Sequence, residues 1–184
     1  MDRAVFDRMF ERGDDPWGFT TSAYEARKRD VTLASLRAER YASAFEPGCA
    51  IGLLTEQLAS RCDHVLACDV SPRAVALTRR RVGDTAHVRL EVREVPRDWP
   101  DDRFDLIVLS ELAYFLAPLE LDELAEAAAA TLLPGGDLVA VHWLGPIDGY
   151  PLDGRAVHDR LERGPWRRVV EHEEPEFLLE VFRA

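Results

Sequence analysis

Phe45-Glu46-Pro47-Gly48-Cys49-Ala50-Ile51-Gly52 is a run of small residues between an apolar stretch and an amphipathic one, and its reading decides the fold. Glycine has no Cβ to hold a ligand away from the backbone, and a helix opening after the turn offers unpaired N–H groups in its first turn. Such a strand-to-helix turn serves a nucleotide-like ligand or packing alone. An acidic residue closing the next strand separates the two. Asp69 stands there, after the short apolar run His64 to Cys68.

Outward from this turn, strands and helices are expected to alternate. Ala42 to Phe45 reads as the first strand and Ile51 to Ser60 as its helix. Ser71-Pro72 opens a second helix that stops at Gly83, with proline in the first turn, where its missing N–H costs nothing. His87 to Val92 is the third strand. Phe104 to Leu109 is an almost unbroken apolar run, as in a parallel strand covered on both faces. Leu119 to Leu132 reads as a helix ended by Pro134-Gly135-Gly136, and Leu138 to Trp143 as the fifth strand. A short helix over Gly154 to Arg163 precedes a closing hairpin, Trp166 to Glu173 with Phe177 to Arg183. The order implies βαβ units and a mostly parallel sheet, its ligand site at the strands' carboxyl ends.

Upstream, residues 1–19 read as a flap or short helix outside the sheet. A hydroxyl-capped helix starts at Thr20-Thr21-Ser22 and carries Tyr24, Val31, Leu33 and Leu36 at helical spacing up to Arg40. Residues 1–40 are thus a covering segment and 41–184 the core of one domain. With 184 residues, 47% of them hydrophobic, the chain can bury a core without disulfides. A net charge of −11 opposes binding to nucleic acid or anionic membranes. Cys49, Cys62 and Cys68 have neither disulfide nor zinc spacing, no metal site is expected, and no apolar run is long enough for a membrane span. A cytoplasmic protein with a small-molecule partner is expected, as a monomer or a weak dimer through the hairpin edge. The charge run Glu25-Ala26-Arg27-Lys28-Arg29-Asp30 reads as a solvated face, and Lys28, the only lysine, as compositional bias.

Glu46 and Asp69 end the first two strands on one rim of the sheet, an arrangement suited to a ribose held by Asp69. The dinucleotide fingerprint is incomplete, because Leu53-Leu54-Thr55-Glu56 brings no third glycine. Together with Asp69-Val70-Ser71, the run Phe104 to Glu111 and Leu133-Pro134-Gly135-Gly136, the opening turn resembles the motif order of class I S-adenosylmethionine-dependent methyltransferases. More narrowly, Asp15-Pro16-Trp17, Ser22 to Thr32, Val95 to Pro100, His142-Trp143 and Tyr150 to Gly154 resemble the NodS family, N-methyltransferases of a deacetylated amino sugar, with similar chains fused to deacetylases.

The resemblance implies a Rossmann-like fold with a seven-stranded sheet, mostly parallel and closed by an antiparallel hairpin strand, with helices on both faces. It implies S-adenosylmethionine as cofactor and S-adenosylhomocysteine as product. Glu46, Gly48, Cys49, Ala50 and Gly52 would line the methionine portion and Asp69 would bind the ribose. Val70 would pack on the adenine, Glu94 would approach its amino group, and Val95 and Ser110 would border the cofactor. Trp17, Tyr24 and Arg29 become lid residues, with Arg29 suited to the cofactor's carboxylate. Two departures stand in the turn: Pro47 replaces a branched residue, and Ala50 replaces a glycine and is expected to confine the backbone to φ < 0. Phe115 removes a hydroxyl that relatives carry.

Methyl transfer to an amine needs in-line positioning and a nitrogen free of its proton. Glu111, just past the fourth strand, is the leading base or acceptor-orienting residue, and Tyr114 and His142 are the next candidates. Glu111 as a helix cap and His142 as a structural histidine are the competing readings. An O-methyltransferase of a natural product and a non-catalytic cofactor-binding subunit are the alternative functions, and a nicotinamide-dependent reductase shares the fold logic.

Overall fold

Residues 3–184 are described by a computed structural model, in which strands and helices alternate almost throughout. The elements are α1 (Arg3–Glu11), α2 (Ala23–Ser35), β1 (Tyr41–Pro47), α3 (Leu53–Arg61), β2 (Cys62–Asp69), α4 (Pro72–Val82), β3 (Val88–Val92) and β4 (Phe104–Ser110). A 3-10 turn at Ala113–Phe115 leads to α5 (Pro118–Thr131), β5 (Leu132–Trp143), α6 (Gly154–Leu161), β6 (Arg167–Glu173) and β7 (Phe177–Arg183).

The seven strands form one sheet in the order β3-β2-β1-β4-β5-β7-β6. Pairing is parallel from β3 to β5, and β7 runs antiparallel between β5 and β6. The hairpin is therefore used within the chain, paired to β5 from Asp137↔Arg183 to Trp143↔Phe177, and β6 becomes the outer edge. Strand order reverses between β1 and β4, so a crevice opens where both end, after Pro47 and Ser110.

The apolar run of β4 sits at the centre because both its faces are covered. Leu106 and Val108 pack with Val139, Val141 and Leu58 on one face, and Ile107 and Leu109 with Leu121, Leu124 and Leu138 on the other. Asp105, the polar exception, accepts hydrogen bonds from the Ala42 and Ser43 N–H groups at 2.8 Å each and ties down the start of β1.

Of the boundaries that differ from the sequence expectation, three have a visible cause. α2 stops at Ser35, not Arg40, because the Tyr41 hydroxyl takes the Arg37 and Ala38 N–H groups (3.2 and 3.3 Å) and donates to Asp137 Oδ2 at 2.7 Å. α3 starts at Leu53, since Gly52 is left-handed at φ 79° and cannot belong to the helix. β5 begins at Leu132, so Pro134-Gly135-Gly136 is a bulge inside the strand: the register passes from Phe104↔Leu132 directly to Leu106↔Asp137. A Cβ on Gly136 would lie 2.9 Å from Leu133 O and 3.0 Å from Asp105 O, which makes glycine necessary there. α4 matches its expected span from Pro72 to Val82.

Among the described residues no helix is long and apolar enough to cross a membrane. The three cysteines are buried and free.

Candidate active site

A cavity of about 510 Å³ occupies the crevice between the ends of β1 and β4, roofed by α1, α2 and the loop joining them. Its floor is the turn after β1. The Gly48 and Cys49 N–H groups both bond Cys68 O, at 2.7 and 2.9 Å, which folds the turn back onto β2. Asp69 then locks it from the side: Oδ2 accepts from the Ala50 N–H at 3.0 Å and Oδ1 from the Ser71 N–H at 2.9 Å. A carboxylate has about four acceptor positions, so capacity remains for hydroxyls of a ligand. Burial pushes the Asp69 carboxyl up to about 6, against the pull of these N–H donors.

Ala50 corrects one expectation. It does not keep φ negative but adopts φ 49°, the conformation glycine would take at less cost. Asp69 holds its N–H, and the Thr78 hydroxyl donates to its carbonyl at 3.1 Å. Beside it Glu46 is 3% exposed, with Oε2 buried and unpartnered. Burial pushes the Glu46 carboxyl up to about 8; the nearby Thr55 hydroxyl pulls the other way but makes no aligned hydrogen bond.

The opposite wall is Ser110 to Phe115. Glu111 also has a positive φ, 54°, and carries its carboxylate off the end of β4 into the cavity. Glu111 Oε2 accepts from the Tyr114 hydroxyl and from the Trp143 N–H (3.3 Å), while Oε1 lies 2.7 Å from Lys28 Nζ. Tyr114 is pushed above the usual phenol range by burial and then by Glu111. Lys28, only 3% exposed, also meets Glu25 Oε1 at 2.9 Å. Burial works against its charge, but Glu111 and Glu25 outweigh it and hold the ammonium form.

Aromatic rings complete both ends. Phe10, Trp17 and Phe19 stand in series near the Asp69 side, with centroids 5.4 Å apart at each step. Phe115 meets Phe6, Tyr114 and Tyr150 at 5.1, 4.7 and 5.0 Å on the Glu111 side. Arg29 lines the rim and reaches Phe19 O at 3.4 Å.

Of the residues singled out from the sequence, Trp17, Tyr24, Arg29, Glu46, Gly48, Cys49, Ala50, Asp69, Val70, Val95, Ser110, Glu111 and Tyr114 all border this cavity. Three others lie outside it. Gly52 caps α3, and a Cβ there would come within 2.8 Å of Thr78 Cγ2, so its work is close packing against α4. Glu94 points outward to Arg97 at 3.0 Å, while Arg93 and Val95 on either side face the cavity.

His142 is fully buried behind the wall. Its Nε2 accepts from the Ala113 N–H at 3.3 Å, which leaves the proton on Nδ1 to be donated to His158 Nε2 at 3.2 Å. His158 Nδ1 in turn donates to Glu180 Oε2 at 2.7 Å. Burial, with His158 and Lys28 adding, pushes His142 well below the usual imidazole range. A neutral ring whose accepting nitrogen is already filled holds the Ala113 segment in place and has no access to a ligand.

Lys28 and Glu25 were read as part of a solvated charge run, and α2 turns them inward instead. The available signal was compositional: the chain's single lysine falls on the buried position. No group of residues with metal-binding geometry occurs among the described residues.

Residues 5–137 match the sequence profile of the family described as nodulation protein S (NodS). The nodulation protein S of Rhizobium tropici is 37% identical over 128 residues, 68% of this chain and 54% of its own length. That of Bradyrhizobium diazoefficiens is 39% identical over 104 residues, 56% of this chain and 50% of its own. The chain thus spans about half the length of the curated relatives it matches. Among solved structures, the N-methyltransferase NodS of Bradyrhizobium japonicum WM9 in complex with S-adenosylhomocysteine superposes with a TM-score of 0.87 at 26% identity, over 98% of this chain and 97% of that one. A Pseudomonas syringae protein provisionally described as a methyltransferase is 44% identical, with a TM-score of 0.79 over 89% of this chain and 100% of that one.

Proposed function

The chain belongs to the NodS family, and from that premise we propose that it is an S-adenosylmethionine-dependent methyltransferase acting on the nitrogen of a small amine, foremost a deacetylated amino sugar. The observation that carries this reading is that the Asp69-locked turn and the Glu111–Tyr114 pair open on one cavity from neighbouring strand ends. The likeness to a NodS N-methyltransferase crystallised with S-adenosylhomocysteine supports the cofactor.

The residues present fit that cofactor. Glu46 Oε2 is buried without a partner and would accept from an ammonium once the carboxyl has released its proton, and Gly48 keeps the adjoining wall free of a Cβ. Asp69 has acceptor capacity for ribose hydroxyls. Val70 and Val95 offer apolar surface for the base, and Trp17, Tyr24 and Arg29 cover the site from the α1–α2 side. Cys49, Ala50 and Ser110 complete the wall.

When bound, S-adenosylmethionine supplies an activated methyl group. The protein's part is positional: the α1–α2 cover keeps water out, the aromatic cluster around Phe115 confines the acceptor, and Glu111 orients its N–H. Positive charge passes onto the nitrogen as it is methylated, and a carboxylate fixed beside it stabilises that change. A deacetylation upstream would supply the free amine. We place the reaction in the cytoplasm, with the chain acting as a monomer or as a weak dimer through β6.

Calorimetric titration with S-adenosylhomocysteine tests the cofactor, and S-adenosylhomocysteine formation with glucosamine-type acceptors tests the reaction. Stabilisation by NADH but not by S-adenosylhomocysteine would overturn the reading.

A further inference from the structure

Lys28 lies within a ring of groups suited to one more cation than they hold. Its Nζ is shared between Glu25 Oε1 at 2.9 Å and Glu111 Oε1 at 2.7 Å, and stands 4.7 Å from the centroid of the Tyr24 ring. Two carboxylates and one ammonium leave one negative charge in a place where burial makes unbalanced charge costly. Arg29 on the same helix acts on Glu25 through space, but its charge is shared with Asp30 and Asp15 as well, and its guanidinium is turned to Phe19 O at 3.4 Å.

Hydrogen bonding is incomplete at the same spot. The Lys28–Glu111 contact is short but not aligned as a hydrogen bond, so Glu111 Oε1 is buried with an unfilled position; the Tyr24 hydroxyl is buried and unfilled as well. Glu25, Tyr24, Lys28 and Glu111 all border the cavity. The chemistry of the occupant follows. A compact ammonium, primary or singly methylated, would take Glu111 Oε1, donate toward the Tyr24 hydroxyl and rest on its ring, while Lys28 falls back on Glu25. Two cations would then face two carboxylates.

We propose that Glu25, Glu111 and Tyr24 form an ammonium subsite in which Lys28 is the resident cation, so that the acceptor docks there as an ammonium, releases one proton to solvent before methyl transfer, and is again the second cation once methylated. This rests on the methyltransferase reading and adds the residues that select an amine over an alcohol. Lysine suits the resident role because its charge is a compact point that yields one carboxylate while keeping the other; a guanidinium fork would bind both.

The chain has one lysine, so lysine-selective isotope labelling gives a single side-chain signal to follow by NMR. The wild-type protein, saturated with S-adenosylhomocysteine, is titrated with methylammonium chloride, and separately with sodium chloride and with methanol. A saturable shift of the Lys28 Nζ and Cε resonances with methylammonium alone is expected, weakened at least about tenfold in Glu111→Gln. No saturable shift, or an equal shift with sodium chloride or methanol, would overturn the subsite; the wild-type titration decides this even if the variant does not fold. Calorimetry of S-adenosylhomocysteine on the same sample reports separately on the methyltransferase reading.

Discussion

Asp69 Oδ2 accepts the Ala50 N–H at 3.0 Å, and this bond adds a side-chain tie to the two backbone bonds that hold the turn flooring the cavity against the end of β2. The same carboxylate also takes the Ser71 N–H at the entrance to α4, so a residue expected to serve a ligand first serves the backbone around it.

Replacing Asp69 with asparagine keeps the shape but puts an amide N–H where an acceptor is needed. Because the site is buried, a lost charge-assisted bond costs about 2 kcal/mol. Calorimetry should show S-adenosylhomocysteine affinity reduced about tenfold or more, with urea unfolding also shifted down. Unchanged affinity would remove Asp69 from the cofactor site.

Ala50→Gly tests the left-handed turn. A non-glycine residue there costs about 1–2 kcal/mol, offset by the about 0.4–1 kcal/mol that glycine loses in unfolded-chain entropy. The variant should be as stable as the wild type or up to about 1.6 kcal/mol more stable in urea, and should retain S-adenosylhomocysteine binding. A loss above about 1 kcal/mol would contradict the φ of 49°.

Gly52→Ala should behave in the opposite way. Gly52 is left-handed at φ 79°, and the new methyl would lie 2.8 Å from Thr78 Cγ2 and 3.0 Å from its Cα. Strain and overpacking together predict a loss of about 2–4 kcal/mol in urea unfolding. Because Gly52 does not border the cavity, cofactor affinity measured on the folded fraction should change little.

Glu46 sets a pH dependence. Its carboxyl is raised from 4.5 to about 8 in the folded state, so between those values the folded protein keeps a proton that the unfolded chain has released. Stability from this group is therefore full below about pH 4.5 and falls as pH rises, by at most about 1.4 kcal/mol per unit, until about pH 8. Asp69, raised from 3.8 to about 6, adds the same sign of slope over its own window. Urea unfolding across pH 6 to 8 should show Glu46→Gln nearly flat where the wild type declines; parallel curves would refute the assignment.

His142 should remain neutral wherever the protein is folded. Imidazole NMR from about pH 5 to 8 should show the His142 ring unchanging, with its proton on Nδ1. Titration of His142 in that window would contradict the buried chain through His158 to Glu180.

Much of the fold was legible because it depends on local rules. The β4 run had to be central since nothing polar interrupts Leu106 to Leu109, and Pro72 with Gly83 bracketed α4 correctly. That Asp69 and Glu111 border the cavity was legible because strand ends are set by topology and carboxylates there face the rim. The Pro134-Gly135-Gly136 bulge was not, since a proline-glycine run reads as a turn until the partner strand fixes the register at Leu132 and Asp137.

By itself, then, the sequence determined the strand and helix order, the turn at Glu46 to Gly52 and the carboxylates at the rim. Only the tertiary structure decided which of them share a cavity. It moved Gly52 into packing, turned Glu94 to solvent and enclosed His142. It also brought Lys28 out of an apparent surface charge run to meet Glu111, 83 residues further along the chain, at 2.7 Å. Helical periodicity gives a residue's face, but whether that face meets water or a carboxylate depends on how α2 docks over the sheet, and that is fixed by contacts distant in sequence.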